Sequence, residues 1–245
     1  MCMLSYIPLE NGQYILTQNR DESIMRPNST PPIKKQVGGV SVVYPVDPQG
    51  WGTWLGVSSA GHAAALINGG LQPHKHHPPY RHSRGLIIPA FLTSFDFEFF
   101  YRNYDFSDLE PFTMLLIDKD RLFEIIKTED SIQLKEHDPG KPLFRLSYQL
   151  YPEDSINERS LHFYRWYYKH KHLNENEVLN YHLANKYELP EIPKNDTGKH
   201  ILKTVSITQA VKKGNKFRMN FYDAVNDLNL FNSTKIDKPV GAPAQ

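Results

Sequence analysis

The chain has 245 residues with a net charge of +1, enough length for one large buried core and no basic excess of the kind a nucleic-acid surface carries. Its single cysteine excludes an internal disulfide and any cysteine-based zinc site. No charged-then-apolar leader opens the chain and no apolar run approaches membrane-spanning length, so a cytoplasmic protein without an integral membrane segment is expected.

In chain order, residues 3–7 and 14–18 read as two strands joined through Glu10-Asn11-Gly12-Gln13. Asn-Gly between apolar runs is the strongest short hairpin signal, because both residues accept a positive φ. With Asn11-Gly12 as a two-residue loop, Cys2 faces Asp21; with a four-residue loop over residues 9–12, Cys2 faces Asn19. In either register the period of two puts Cys2 on the face of Asn19 and Asp21 and points Arg20 the other way. A lone cysteine beside a carboxylate, an amide and a guanidinium is a candidate nucleophile. Position two adds to this. Methionine aminopeptidases remove Met1 ahead of a small residue, leaving Cys2 an α-amine that titrates near ~8 and can act as base for its own thiol. The plain alternative is a buried free cysteine at the start of an edge strand.

Residues 23–39 carry Arg26-Pro27, Pro31-Pro32 and Gly38-Gly39 and are expected to form a long irregular loop beside the site. A short strand at 41–44 precedes a second hairpin, 53–58 and 62–68, turning at Ser59-Ala60-Gly61. Its Ala63-Ala64-Ala65 run is poor strand former by propensity, and suits close approach of another layer or room for a ligand. Asn68 ends the strand before Gly69-Gly70.

His74, His76, His77 and His82 fall among prolines. Four imidazoles invite a metal or haem iron. With no carboxylate inside the cluster and Pro78-Pro79 enforcing an extended path, however, a solvated loop and no metal site are expected. Residues 83–104 turn helical, with Ser83 as cap and an apolar, aromatic face. Strands follow at 112–118, 121–127 and 132–136, then a loop over 139–152. Residues 155–187 read as two helices broken near Leu173-Asn174, rich in Tyr, Trp and His. A last hairpin runs over 201–211 and 217–225. Residues 1–231 form one domain, and 232–245 are expected to be a flexible C-terminal tail.

Met1-Cys2, Asn19-Arg20-Asp21-Glu22, Arg26-Pro27, Gly52-Thr53-Trp54-Leu55-Gly56-Val57-Ser58 and Ala64-Ala65-Leu66-Ile67-Asn68 together resemble the NRDE family, also called the transport and Golgi organisation protein two family. The match is clear over residues 1–70 and faint beyond. That family is similar, more distantly, to N-terminal nucleophile hydrolases, including the bile salt hydrolases. The resemblance implies an α+β fold, a four-layer αββα sandwich of two antiparallel sheets. It also implies that Asn68 helps form an oxyanion hole, where an amide N–H is worth about 3 kcal/mol of transition-state stabilisation. Eukaryotic members are linked to haem trafficking, and binding of acyl-CoA-type lipids is proposed for the family. The present chain departs from the hydrolase pattern at Tyr148, where an Asn is expected, and at Lys203, where relatives tend to carry Arg.

Two functions follow. In one, a pocket next to Cys2 binds a hydrophobic ligand, haem or an acyl-CoA-type lipid, with no cofactor required. In the other, the chain is an N-terminal cysteine hydrolase acting on amide or thioester bonds. Cys2, Arg20, Asp21 and Asn68 are then the catalytic candidates, and Asn19, Glu22 and Arg26 the ligand-binding ones. The family association and the two departures favour the binding role.

Overall fold

The structure, a computed structural model, describes residues 3–23, 26, 28–170, 172–187 and 202–236. It opens with the hairpin expected from Asn-Gly: β1 (Met3–Pro8) and β2 (Tyr14–Ser23) pair antiparallel. Asn11 and Gly12 take left-handed backbone, φ 57° and 68°, which a β-branched residue would not tolerate. The loop, however, is five residues long. Residues 10–12 form a 3₁₀ turn closed by Leu9 N–H donating to Gln13 O at 2.8 Å. Pro8 therefore lies opposite Tyr14, and Met3 opposite Asn19. This register falls between the two expected from sequence. It reverses the face assignment, since the odd residues of β1 share a face with Asn19 and the even ones with Arg20.

Two antiparallel sheets form the body. The six-stranded sheet runs β10 (Leu143–Leu146), β1, β2, β11 (Leu202–Lys213), β12 (Lys216–Asp223), β13 (Leu228–Lys235). The seven-stranded sheet runs in sequence order from β3 (Thr30–Val37) through β4 (Val40–Val46), β5 (Leu55–Ser58), β6 (His62–Asn68), β7 (Phe112–Asp118) and β8 (Arg121–Lys127) to β9 (Ile132–His137). Leu4, Tyr6, Leu16, Trp54, Leu115 and Phe217 fill the space between the sheets. Helices α1 (Ile87–Leu92) and α2 (Phe97–Asn103) pack on the outer face of the seven-stranded sheet. Helices α3 (Glu153–Lys169) and α4 (Glu175–Ala184) cover the outer face of the other. The order is helix, sheet, sheet, helix: an α+β sandwich in which central strands such as β1, β5 and β7 bury both faces, so their residues need not alternate in polarity, while the edge strands β3, β9 and β13 are largely exposed.

Small residues matter where α1 meets β6. Ala64 belongs to the outer core with Ile88 and Leu92, while Ala63 and Ala65 belong to the inner one. A longer side chain at any of the three would hold two layers apart, which explains an alanine run in a strand.

The irregular loop expected over 23–39 is in part a strand. β3 holds Pro31 and Pro32 because it is the edge of its sheet, where a missing N–H costs no ladder bond, and its pairing slips between Thr30 and Ile33. The segment expected as a loop over 139–152 contains β10, which pairs with β1 and closes the first sheet. Ser83 makes no capping bond, since a 3₁₀ turn at Arg84–Leu86 comes before α1. Asp96 caps α2 by accepting from Phe99 N–H at 2.7 Å. The C-terminal strand β13 runs on through Lys235, past the expected start of the tail, and Ile236 packs on the inner core. Residues 237–245 lie outside those described. No helix among the described residues is long and apolar enough to cross a membrane.

Candidate functional site

The four residues Asn19-Arg20-Asp21-Glu22 lie at the C-terminal half of β2 and alternate between two jobs. Asn19 and Asp21 face the helical layer. The Asn19 Oδ1 lies 2.6 Å from Nδ1 of His182 on α4, and Asn19 Nδ2 donates to the His182 carbonyl at 3.3 Å. The Asp21 Oδ1 accepts from Thr204 Oγ1 at 2.5 Å, and Thr204 Oγ1 itself accepts from Tyr187 N–H at 2.8 Å. These two residues anchor the helical layer and β11 to the sheet.

Arg20 points the opposite way, as the alternation requires, into the gap between the sheets. Its guanidinium lies over the Trp54 ring, 4.9 Å from the centroid, and is 2 % exposed. The Nη2 atom sits 3.7 Å from both Glu22 Oε2 and Asp47 Oδ1, and has no hydrogen-bond partner among the described residues. Arg26 holds the two carboxylates instead, at 2.9 Å to Glu22 and 2.7 Å to Asp47. Burial lowers the Arg20 pKa, with Glu22 and Asp47 partly offsetting that and Arg26 adding to it. The guanidinium remains charged, because arginine starts so high.

These groups line a polar cavity of about 60 Å³, together with Gly52, Thr53, Asn68, Ser83, Arg84 and Gly85. Asn68 stands at the end of β6 as expected, with its Oδ1 buried and unpartnered among the described residues. Its carbonyl accepts from Ser147 Oγ at 2.7 Å, which ties the strand end to the residue that follows β10. Opposite, the backbones of Gly52 and Gly85 touch. A Cβ built on Gly52 would lie 2.4 Å from the Gly85 carbonyl carbon, and one on Gly85 2.7 Å from Thr53 O. Only glycine permits that approach. It brings Arg84 to the cavity, and Glu110 outside the lining pairs with Arg84 at 2.9 Å.

Of the candidates, Arg20, Glu22, Arg26 and Asn68 meet in this cavity, while Asn19 and Asp21 support it from behind. Cys2 lies outside the described residues. Asp47 and Arg84 were not visible from sequence as site residues, since each comes from a turn with no motif of its own. Gly52, Thr53 and Trp54 belong to a run that signalled the family without indicating a role. Tyr148 packs with the helical core instead of entering the cavity.

The histidine loop finds the carboxylate that its own sequence lacks. Glu110 Oε1 lies 3.2 Å from His74 Nε2 and 3.3 Å from His76 Nδ1. Hence the loop is docked on a charged partner, not simply solvated. His82 pairs separately with the Tyr104 hydroxyl at 3.0 Å. Among the described residues no group of three or more His, Cys, Asp or Glu is arranged to hold a metal ion.

Comparison with solved structures places the fold. A mutant of the conjugated bile acid hydrolase from Clostridium perfringens superposes with a TM-score of 0.56 at 9% identity, covering 100% of this chain and 99% of that one. An N-acylethanolamine-hydrolyzing acid amidase ortholog from Caenorhabditis elegans gives 0.57 at 11% identity, covering 85% and 92%. Both likenesses are of fold. No curated protein matches the sequence. The model of the Transport and Golgi organisation 2 family matches residues 1–238, and the chain belongs to that family.

Proposed function

We propose that this chain is an N-terminal cysteine hydrolase acting on amide bonds, with Cys2 as nucleophile at the Arg20 cavity. The observation that supports the reading most is Arg20 itself. A guanidinium only 2 % exposed, with a donor that has no hydrogen-bond partner among the described residues and lies at a small polar cavity, is a costly arrangement that stability alone does not favour. Position two is an even-numbered position ahead of β1, whose even residues share the Arg20 face. The two solved structures of similar fold carry hydrolase and amidase in their names, which agrees with the reading at the level of architecture.

In this mechanism the α-amine of Cys2, freed by loss of Met1, takes the thiol proton as sulfur attacks the amide carbonyl carbon. The oxyanion forms within reach of Arg20 and Asn68, whose charge and dipole oppose the developing negative charge. The proton then passes to the leaving nitrogen, the C–N bond breaks, and a thioester remains on Cys2. Water adds to that thioester, releases a carboxylic acid and restores the thiol. Intact mass of untagged protein during brief iodoacetamide treatment across a pH series tests the reading. Loss of Met1 with Cys2 alkylated quickly below pH 7 is expected. Retained Met1, or a thiol reacting only above its ordinary pKa, would reject it.

A second reading is carriage of a hydrophobic ligand, haem or an acyl-CoA-type lipid. The 60 Å³ cavity is too small for a porphyrin, but an open groove of about 620 Å³ lies between the first hairpin turn and the end of α3. Ile7, Leu9, Tyr167, His170, His172 and Leu173 are among its lining residues, offering apolar surface and imidazoles. Titration with haem, followed in the Soret band and repeated on His170→Ala and His172→Ala, checks it; an unshifted band rules haem out.

A further inference from the structure

We infer that the helix-side face of β12 and β13 binds single-stranded nucleic acid, with phosphates on a row of lysines and a base on Phe231; this is independent of the hydrolase reading. The register builds the row. Lys213, which closes β11, lies opposite Lys216 at the start of β12, and Lys216 lies opposite Lys235 at the end of β13. Directly opposed residues of antiparallel strands share a face, and like charges placed so destabilise the sheet. The face is the helical one, because Lys213 and Arg218 both reach Glu175 at the start of α4, at 2.8 and 3.6 Å. One carboxylate is shared between those two. Lys216 and Lys235 form no ion pair among the described residues, so the row keeps a local positive excess that a net charge of +1 averages away.

The helical layer stops short of these strands. The apolar core beneath α3 and α4 draws on β1, β2, β10 and β11 and, among the described residues, takes nothing from β12 or β13. Phe231 is left 70 % exposed. By the period of two it lies on the face of Ser233 and Lys235, and the Arg218 guanidinium stands 5.1 Å from its ring centroid. A line of cations with a bare ring and a guanidinium beside it supplies both parts of a single-strand platform. The charges follow the backbone, and the ring stacks a base whatever its identity. A lipid surface fits this face less well. Leu228 and Leu230, the exposed aliphatic residues of β13, alternate with Phe231 and so lie on the opposite face.

Fluorescence anisotropy of a labelled twelve-nucleotide oligouridylate, and of an abasic strand with the same phosphates, tests this on the full chain. Micromolar binding of the oligouridylate is expected at about 50 mM salt, with log K falling against log salt at a slope of about −2, as about three neutralised phosphates require. Phe231→Ala should weaken the oligouridylate about tenfold and leave the abasic strand unchanged, with Phe231→Tyr close to the parent. Lys235→Ala should weaken both strands and flatten the slope by about 0.7. It should leave the urea midpoint equal or raised, since it removes a like-charge neighbour. No binding of the oligouridylate at about 50 mM salt, or an equal effect of Phe231→Ala on both strands, overturns the inference. Binding to phosphatidylserine vesicles and not to the oligouridylate overturns it in favour of a membrane surface.

Discussion

Asn19 holds His182 at two points. Its Oδ1 accepts from the ring Nδ1–H at 2.6 Å, and its Nδ2 donates to the backbone carbonyl at 3.3 Å. The far ring nitrogen lies 2.8 Å from Ser5 Oγ, which must donate to it once Nδ1 carries the proton. All three side chains are buried to 1 % or less. The network resembles a Ser–His relay in its bonding, and being fully buried it fastens α4 to the sheet behind Arg20.

Acid should loosen that fastening in a defined window. Burial lowers the His182 pKa from 6.5 to about 3, so the unfolded chain binds a proton that the native one refuses. Stability is therefore full above pH 6.5 and falls as pH drops towards 3, by at most about 1.4 kcal/mol per unit. Urea midpoints at pH 7.5, 6 and 5 should decline for the parent and decline less for His182→Gln. Parallel profiles would show that His182 does not titrate as described.

Arg20 should be dispensable for folding and indispensable for chemistry. Arg20 Nη2 has no hydrogen-bond partner among the described residues, and replacing a poorly bonded buried charge with an apolar isostere is often neutral or stabilising. Arg20→Met is expected to unfold at an equal or higher urea concentration while losing amide turnover by 10²-fold or more, on the order of a lost oxyanion donor. A destabilised variant would mean that its ion pairs at 3.7 Å hold the site together.

Gly85→Ala places a Cβ 2.7 Å from Thr53 O and 2.8 Å from Thr53 N, against backbone that has no free rotation. A loss of about 1–3 kcal/mol is expected from overpacking, with turnover reduced because Arg84 and Thr53 move together. Thermal unfolding compared with turnover at a temperature where both proteins are folded separates the two effects.

Glu124 ties the sheets at their other end. It is 1 % exposed and accepts from Arg145 at 2.6 and 2.9 Å, with His137 Nε2 at 2.8 Å. Burial raises its pKa, but the bonds and charge of Arg145 and then His137 outweigh that and hold it below the ordinary carboxylate value. Glu124→Ala leaves the partly exposed Arg145 unpaired and should cost about 2–4 kcal/mol. Its contribution is present above the ordinary Glu pKa and is lost as pH falls through the lowered one. Urea unfolding at pH 7 measures the cost, and an unchanged midpoint would deny the bridge its structural role.

Local information in the chain was enough for the hairpin turn at Asn11-Gly12, for most strands and for the two-helix block after residue 152, because propensity and periodicity act over neighbouring residues. The family motifs supplied the αββα expectation and gathered Arg20, Glu22, Arg26 and Asn68 as candidates. The register of β1 on β2 was not legible, since one extra loop residue leaves the sequence pattern unchanged yet moves every β1 side chain to the other face. Edge position decided that Pro31-Pro32 enter a strand, and pairing with β1 decided that residues 143–146 form one. The cavity itself belongs to tertiary structure alone. Asp47 and Arg84 are far apart in sequence and carry no motif, and they line one cavity with Arg20 only because Gly52 and Gly85 allow two backbones to touch. Sequence fixed which side chains were available; long-range packing, which no local pattern encodes, chose which of them face one another.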